Sequence, residues 1–198
     1  MGWKSKIQPV IIRRNAWELI IQIIPVMIGV YLGFVVSDWS QQEQQSTKKK
    51  VLVESIIAEI QDNQSSIEAV VEYHETLRDT SRHYVRNDHS SMPSFFKGIN
   101  TVTLRNSAFE TGVQTGLLNE LQVDKIQELN AVYACQNAYN EFCNILLSGL
   151  VNMDFSDKEA SVQRILQYLS LTMTDVAIKE RKLLREYEAV LKSIEEER

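Results

Sequence analysis

Hydrophobic positions along this 198-residue chain follow two different patterns. From Leu19 to Val36 eighteen residues pass without a charge. From Val53 onward apolar residues instead recur in steps of three and four. The first pattern describes a helix that is apolar on every side, the second a helix with one buried stripe.

Trp17 and Trp39 bracket the apolar run, 22 residues apart. In a helix that separation spans ~33 Å, about the hydrocarbon thickness of a bilayer. Indole rings favour the headgroup level, where the ring is buried and the N–H stays wet. Residues 17–39 are therefore read as a transmembrane helix, with Arg13, Arg14, Trp17 and Trp39 as its interface anchors. A cleaved signal peptide is the competing reading. The run is longer than a usual signal core, and no A-x-A site follows, only the poor pair Val35 and Ser37. Within the run Pro25 removes a hydrogen bond to residue 21 and should bend the helix. Gly29 and Gly33 stand four apart, and Ser37 extends the same small face. With Gln22, which could hydrogen-bond across an interface, they form the candidate contact with another membrane helix. The alternative is a monomeric anchor of ordinary glycine content.

After the run, Gln-rich residues 40–47 contain no helix breaker, so the anchor is expected to continue into the next helix. That helix, about 48–86, carries Val53, Ile56, Ile60, Ile67, Val70, Leu77 and Tyr84 on one stripe, widened by Ile57 and Val71. Asn63, His74 and Ser81 occupy the missing places. Residues 87–103 gather Asn, Asp, Ser, Pro and Gly and read as a loop, with Phe95 and Phe96 packing on the bundle or facing the membrane. A short helix at about 106–115 presents Ala108, Phe109 and Val113 and stops at Gly116. Asp124 is the expected cap of a helix over 124–150, with Ile126, Leu129, Val132, Tyr133, Tyr139, Phe142, Leu146 and Leu150 on its apolar face. Ser156 and Glu159 have capping-box spacing and open a helix over 157–196. Its seam is Val162, Leu166, Leu169, Met173, Val176, Glu180, Leu183, Tyr187, Val190 and Ile194, a coiled-coil heptad broken only by Glu180.

These elements predict an all-α protein. One N-terminal transmembrane helix is followed, over residues 40–198, by an elongated antiparallel helical bundle whose long helices are coiled-coil-like. Few Gly and Pro residues, seven and three, agree with long helices.

Charge then sets the orientation. Residues 1–16 hold Lys4, Lys6, Arg13 and Arg14 without an acid. They contribute +4 to a net charge of −5, so the rest of the chain carries −9. Residues 1–15 fit an interfacial segment on the inner leaflet or a disordered tail. The cations before the anchor lie closer to it than Lys48, Lys49 and Lys50 do after it. The positive-inside rule then keeps residues 1–16 in the cytoplasm and places the bundle in the periplasm of a bacterium. An acidic outer domain argues against nucleic acid as a partner.

Candidate chemistry is sparse. The chain lacks a phosphate-binding Gly loop, H-E-x-x-H, C-x-x-C and G-x-S-x-G, and no cofactor or metal is expected. Cys135 and Cys143 lie eight residues apart in one expected helix, ~12 Å of rise, too far to pair. They read as small buried apolar residues. His74, on a seam, reads as a residue that specifies register or partner; a buried His74 would be a candidate pH sensor. Glu180, beside Arg181 and Lys182, reads as part of a solvated face.

Several motifs resemble bacterial single-pass membrane proteins of unknown function. They are the basic leader running into Trp17–Trp39, the pair Asp38–Trp39, Phe109–Glu110–Thr111, Gly116–Leu117–Leu118, and Tyr133 with Tyr139. The resemblance implies a helical extramembrane domain behind one anchor and transfers no functional residue. The expected function is a non-enzymatic interaction protein, a scaffold, assembly or accessory subunit of an inner-membrane complex. Its expected partners are membrane lipid and either further copies of itself or a larger complex. The alternative is a sensor whose bundle passes a periplasmic signal through the anchor.

Overall fold

The structure, a computed structural model, describes residues 16–196, with side chains from residue 21 onward. The chain divides after Lys48 into two units. Four α-helices follow in order: α1 (Ala16–Arg86), α2 (Ser107–Thr115), α3 (Val123–Val151) and α4 (Lys158–Glu195). A single 3-10 turn, Leu117–Glu120, joins α2 to α3. No strand forms among the described residues. As expected, no break separates the apolar run from the helix after it; both lie in the 71 residues of α1.

In the first unit α1 contains Pro25, whose missing N–H costs the helix one backbone bond. This is the one described helix long and apolar enough to cross a membrane, and none of its apolar window is buried.

The second unit is a bundle of α3, α4 and the later part of α1. Three contacts set the direction of α1 against α4: His74 with Glu180 at 2.8 Å, Glu75 with Arg181 at 2.8 Å, and Arg82 with Thr174 at 2.7 Å. From Glu75–Arg181 to Arg82–Thr174 the numbers rise on one helix as they fall on the other, so the pair is antiparallel. α3 instead runs parallel to α1, because Glu59 meets Tyr133 and Asn63 meets Gln136. Gln136 with Tyr187 and Tyr139 with Glu180 make α3 and α4 antiparallel.

Parallel neighbours cannot be joined by a short loop. The chain leaving α1 must travel back along the bundle before α3 begins, and residues 87–106 do so. Their contacts with α1 move back along it: Gly98 with Tyr73 and Ile99 with His74, then Arg105 with Asn63, then Ser107 with Glu59. Phe95 and Phe96 pack against the core, and Phe95 meets the Tyr73 ring edge-on.

The stripes read from the sequence supply the core. Ile56, Ile60, Ile67, Val70, Val71 and Leu77 are buried on α1. On α4, Leu166, Leu169, Met173, Val176, Leu183, Tyr187, Val190 and Ile194 are buried, while Val162 near its start stays half-buried.

Four local expectations need correction. The α4 cap is Asp157, whose carboxylate accepts from the Ala160 N–H at 3.0 Å. A charged acceptor at that position satisfies a free helical amide. Ser156 bonds to Asp154 instead. Asp124 is not the α3 cap, because the helix begins one residue earlier, after Gln122. Val113 is 56% exposed. The inward residue of α2 is Gly112, where an added Cβ would lie 2.9 Å from Leu52 and Leu118 atoms. The absence of a side chain lets α2 approach this closely. Finally, Glu180 is fully buried, not solvated.

Candidate functional site: an uncovered apolar span and a polar clamp

Two features of the molecule need explaining by function or by folding. One is apolar and exposed, the other polar and buried.

The first is the span in α1. Phe34 is 66% exposed and Trp39 70% exposed, and Ile21 to Val36 present apolar side chains all round the helix. Gly29 and Gly33 have open space where a Cβ would stand. Ser37 accepts a hydrogen bond from Gln41 at 3.4 Å, and Gln22 is exposed. Arg13, Arg14 and the Trp17 side chain lie outside the described residues. Apolar surface this extensive and continuous is unusual on a protein in water.

The second feature is the clamp that holds the returning strap, residues 97–106. An extended chain points the peptide groups of successive residues to opposite sides. Leu104 and Arg105 are read in this way by asparagines on two different helices. Asn140 of α3 accepts from the Leu104 N–H at 3.0 Å and donates to its carbonyl at 2.9 Å. Asn63 of α1 accepts from the Arg105 N–H at 2.9 Å and donates to its carbonyl at 2.7 Å. Each amide thus makes the two bonds that a neighbouring β-strand would make. Gln136 adds a bond to the Arg105 carbonyl at 2.6 Å and accepts from Asn63 and Tyr187.

Glu59 closes one end. It accepts from the Ser107 hydroxyl at 2.8 Å and the Ala108 N–H at 2.9 Å. Asn106, the N-cap residue of α2, makes no side-chain cap, so α1 supplies the acceptor that α2 lacks. The Tyr133 hydroxyl donates to the other Glu59 oxygen at 2.8 Å. Burial and this carboxylate push the Tyr133 phenol well above its ordinary range.

His74 closes the other end. Its Nε2 donates to the Ile99 carbonyl at 2.7 Å, and its Nδ1 meets Glu180 Oε1 at 2.8 Å. Tyr139 donates to the same carboxylate oxygen at 2.9 Å. Its phenol is raised by burial and then by Glu180. Cys143 is pushed up to about 11, chiefly by burial, with Glu180 adding to the rise. Glu180 Oε2 and Ser81 Oγ are buried without a hydrogen-bond partner among the described residues.

His74 and Glu180 were legible as polar breaks in their stripes. Asn63 and Ser81 were visible as missing places. Glu59, Gln136 and Asn140 were missed, since one buried polar residue on a mostly polar helix surface leaves no periodic signal. The clamp spends its polar groups on the chain's own backbone and on one another. Comparison with family models, with curated proteins and with solved structures finds no match for this chain.

Proposed function

We propose that the protein is a non-enzymatic, membrane-anchored interaction protein, an accessory, scaffold or assembly subunit of a bacterial inner-membrane complex. The observation that carries this reading is the uncovered apolar surface of α1 between Ile21 and Trp39. The same chain continues into a bundle in which the buried Asn63, His74 and Gln136 bond to its own strap. The resemblance to single-pass membrane proteins of unknown function accords with it.

In this reading lipid covers most of the span. The small face of Gly29, Gly33 and Ser37, with Gln22, meets another membrane helix, because small residues let backbones approach closely. Arg13, Arg14, Trp17 and Trp39 anchor its two ends. Residues 1–16 stay in the cytoplasm and the bundle stands in the periplasm, supported by the cations of the leader.

The test is purification of the full chain from native membranes in a gentle detergent, followed by native mass spectrometry with every accompanying chain identified. A heterologous membrane complex supports the accessory-subunit reading. A homo-oligomer that Gly33→Ile dissociates supports a self-assembling scaffold. A monomer that co-purifies with nothing overturns the proposal.

A further inference from the structure

At one end of the bundle the three long helices part around a cavity of about 360 Å³. Ile56 of α1, Leu129 of α3 and Ile194 of α4 each give it a buried aliphatic side chain. Val53 and Leu121, both half-buried, complete the apolar lining.

Two cations from different helices converge on this apolar space. Lys125 is only 15% exposed; it donates to Ser193 and lies 3.4 Å from Glu128. Lys49 is half-buried and lines the same cavity. It makes no hydrogen bond or ion pair among the described residues. Gln122, also in the lining, caps the start of α3 without a side-chain bond, so the first amides of that helix add positive potential there. Glu128 lies beside one lysine, and among the described residues no carboxylate pairs with the other. A partly desolvated cation gains from an anion brought beside it. Apolar walls with a few convergent polar groups, at this volume, are the usual form of a small-molecule site.

We propose that this cavity binds an anionic amphiphile. The acyl chain lies among Ile56, Leu129 and Ile194, and the carboxylate or phosphate head meets Lys49. The inference stands apart from the interaction reading, since it needs neither a partner protein nor an oligomer. Lys49 follows Trp39 by ten residues in the chain, and a bilayer is the natural source of such molecules. A free fatty acid and an anionic phospholipid share the required chemistry, and competition separates them.

The test uses the full chain in a non-ionic detergent with palmitate carrying a diazirine in its acyl chain. After photolysis, labelled peptides are mapped by mass spectrometry. Label is expected in the peptides that contain Val53 and Ile56 or Leu121 and Leu129. Lys49→Glu should weaken it by about tenfold, the loss of one charge-assisted contact. Leu121→Trp, which fills the cavity from its rim, should abolish it. Because a rim tryptophan could disturb folding, the charge variant at Lys49 is read independently, with helical circular dichroism alongside. Displacement by unlabelled palmitate alone assigns a fatty acid; displacement by phosphatidylglycerol assigns a membrane lipid. Label confined to residues 21–36, label unchanged in both variants, or equal displacement by phosphatidylcholine overturns the proposal.

Discussion

Two stretches of α1 solve opposite problems with the same backbone. Between Ile21 and Trp39 the apolar side chains are exposed and none is buried by another described element; Val26 and Met27 are each 64% exposed. Between Leu52 and His74 polar side chains point inward, and Asn63 and His74 are buried at 2% exposure or less. The comparison teaches that burial follows available partners rather than residue type. Apolar groups stay uncovered where the chain offers no surface to cover them. Polar groups enter a core where another part of the chain offers a donor or acceptor. The first stretch therefore points outside the molecule for its completion, and the second is complete within it.

The largest effect expected is on the first stretch. Ile28→Arg puts a charge in the middle of the span, which costs about 3 kcal/mol of insertion free energy in a bilayer. Carbonate extraction of membranes should release the variant while its bundle keeps its melting temperature. Unchanged membrane retention would remove lipid as the cover of this surface.

Next is the clamp. Asn63→Leu keeps the volume but strips the Arg105 N–H of its partner and takes one donor from its carbonyl. A loss of about 2 kcal/mol is expected, the cost of leaving a buried polar group unmade. Urea denaturation measures it, and limited proteolysis should find residues 97–106 newly cleavable. A neutral result with an intact strap would mean that Gln136 and Asn140 suffice.

Gly112→Ala sharpens the comparison at the α2 contact. Alanine favours the helix, yet its Cβ meets Leu52 and Leu118 at 2.9 Å. Crowding should prevail, for a net loss of about 1 kcal/mol. A higher melting temperature would show that these two leucines give way freely.

The smallest effect lies on the bundle surface. Arg181 donates two hydrogen bonds to Glu75 and holds its carboxyl below the ordinary value of 4.5. A lowered folded-state value contributes stability that is present above 4.5 and is lost as pH falls through the folded value. Both groups are partly exposed, so the change is slight. Melting temperature followed downward from pH 5 should fall less steeply in Arg181→Ala than in the parent. Identical profiles would show that solvent screens the pair completely.

Much of the fold was legible from periodicity. Eight of the nine apolar residues of the α4 seam are buried, and Gly116 ends α2 in the left-handed conformation that its φ of 72° requires. Caps were less legible. Asp157 outcompeted Ser156, and α3 began before Asp124, because cap choice depends on the angle at which the chain enters the helix. Val113 misled because a glycine, invisible to a hydrophobic pattern, marks the inward face of α2. Of the candidate site, the exposed apolar run of α1 came directly from composition. The clamp did not, since its members lie on α1, the strap, α3 and α4 and have no sequence spacing in common.

What the sequence by itself determined is local: an uncharged run of membrane length, stripes at helical period, and a few stops and loops. These follow from the repeat of the α-helix and from hydrophobicity, and both are written residue by residue. Only the tertiary structure decided that α3 runs parallel to α1. That choice requires a strap to run back along the bundle; the strap's peptide groups require Asn63, Asn140, Gln136 and His74, and the start of α2 requires Glu59. A buried polar residue acquires its meaning from a partner far away in the chain, and a sequence pattern carries no record of which partner that is.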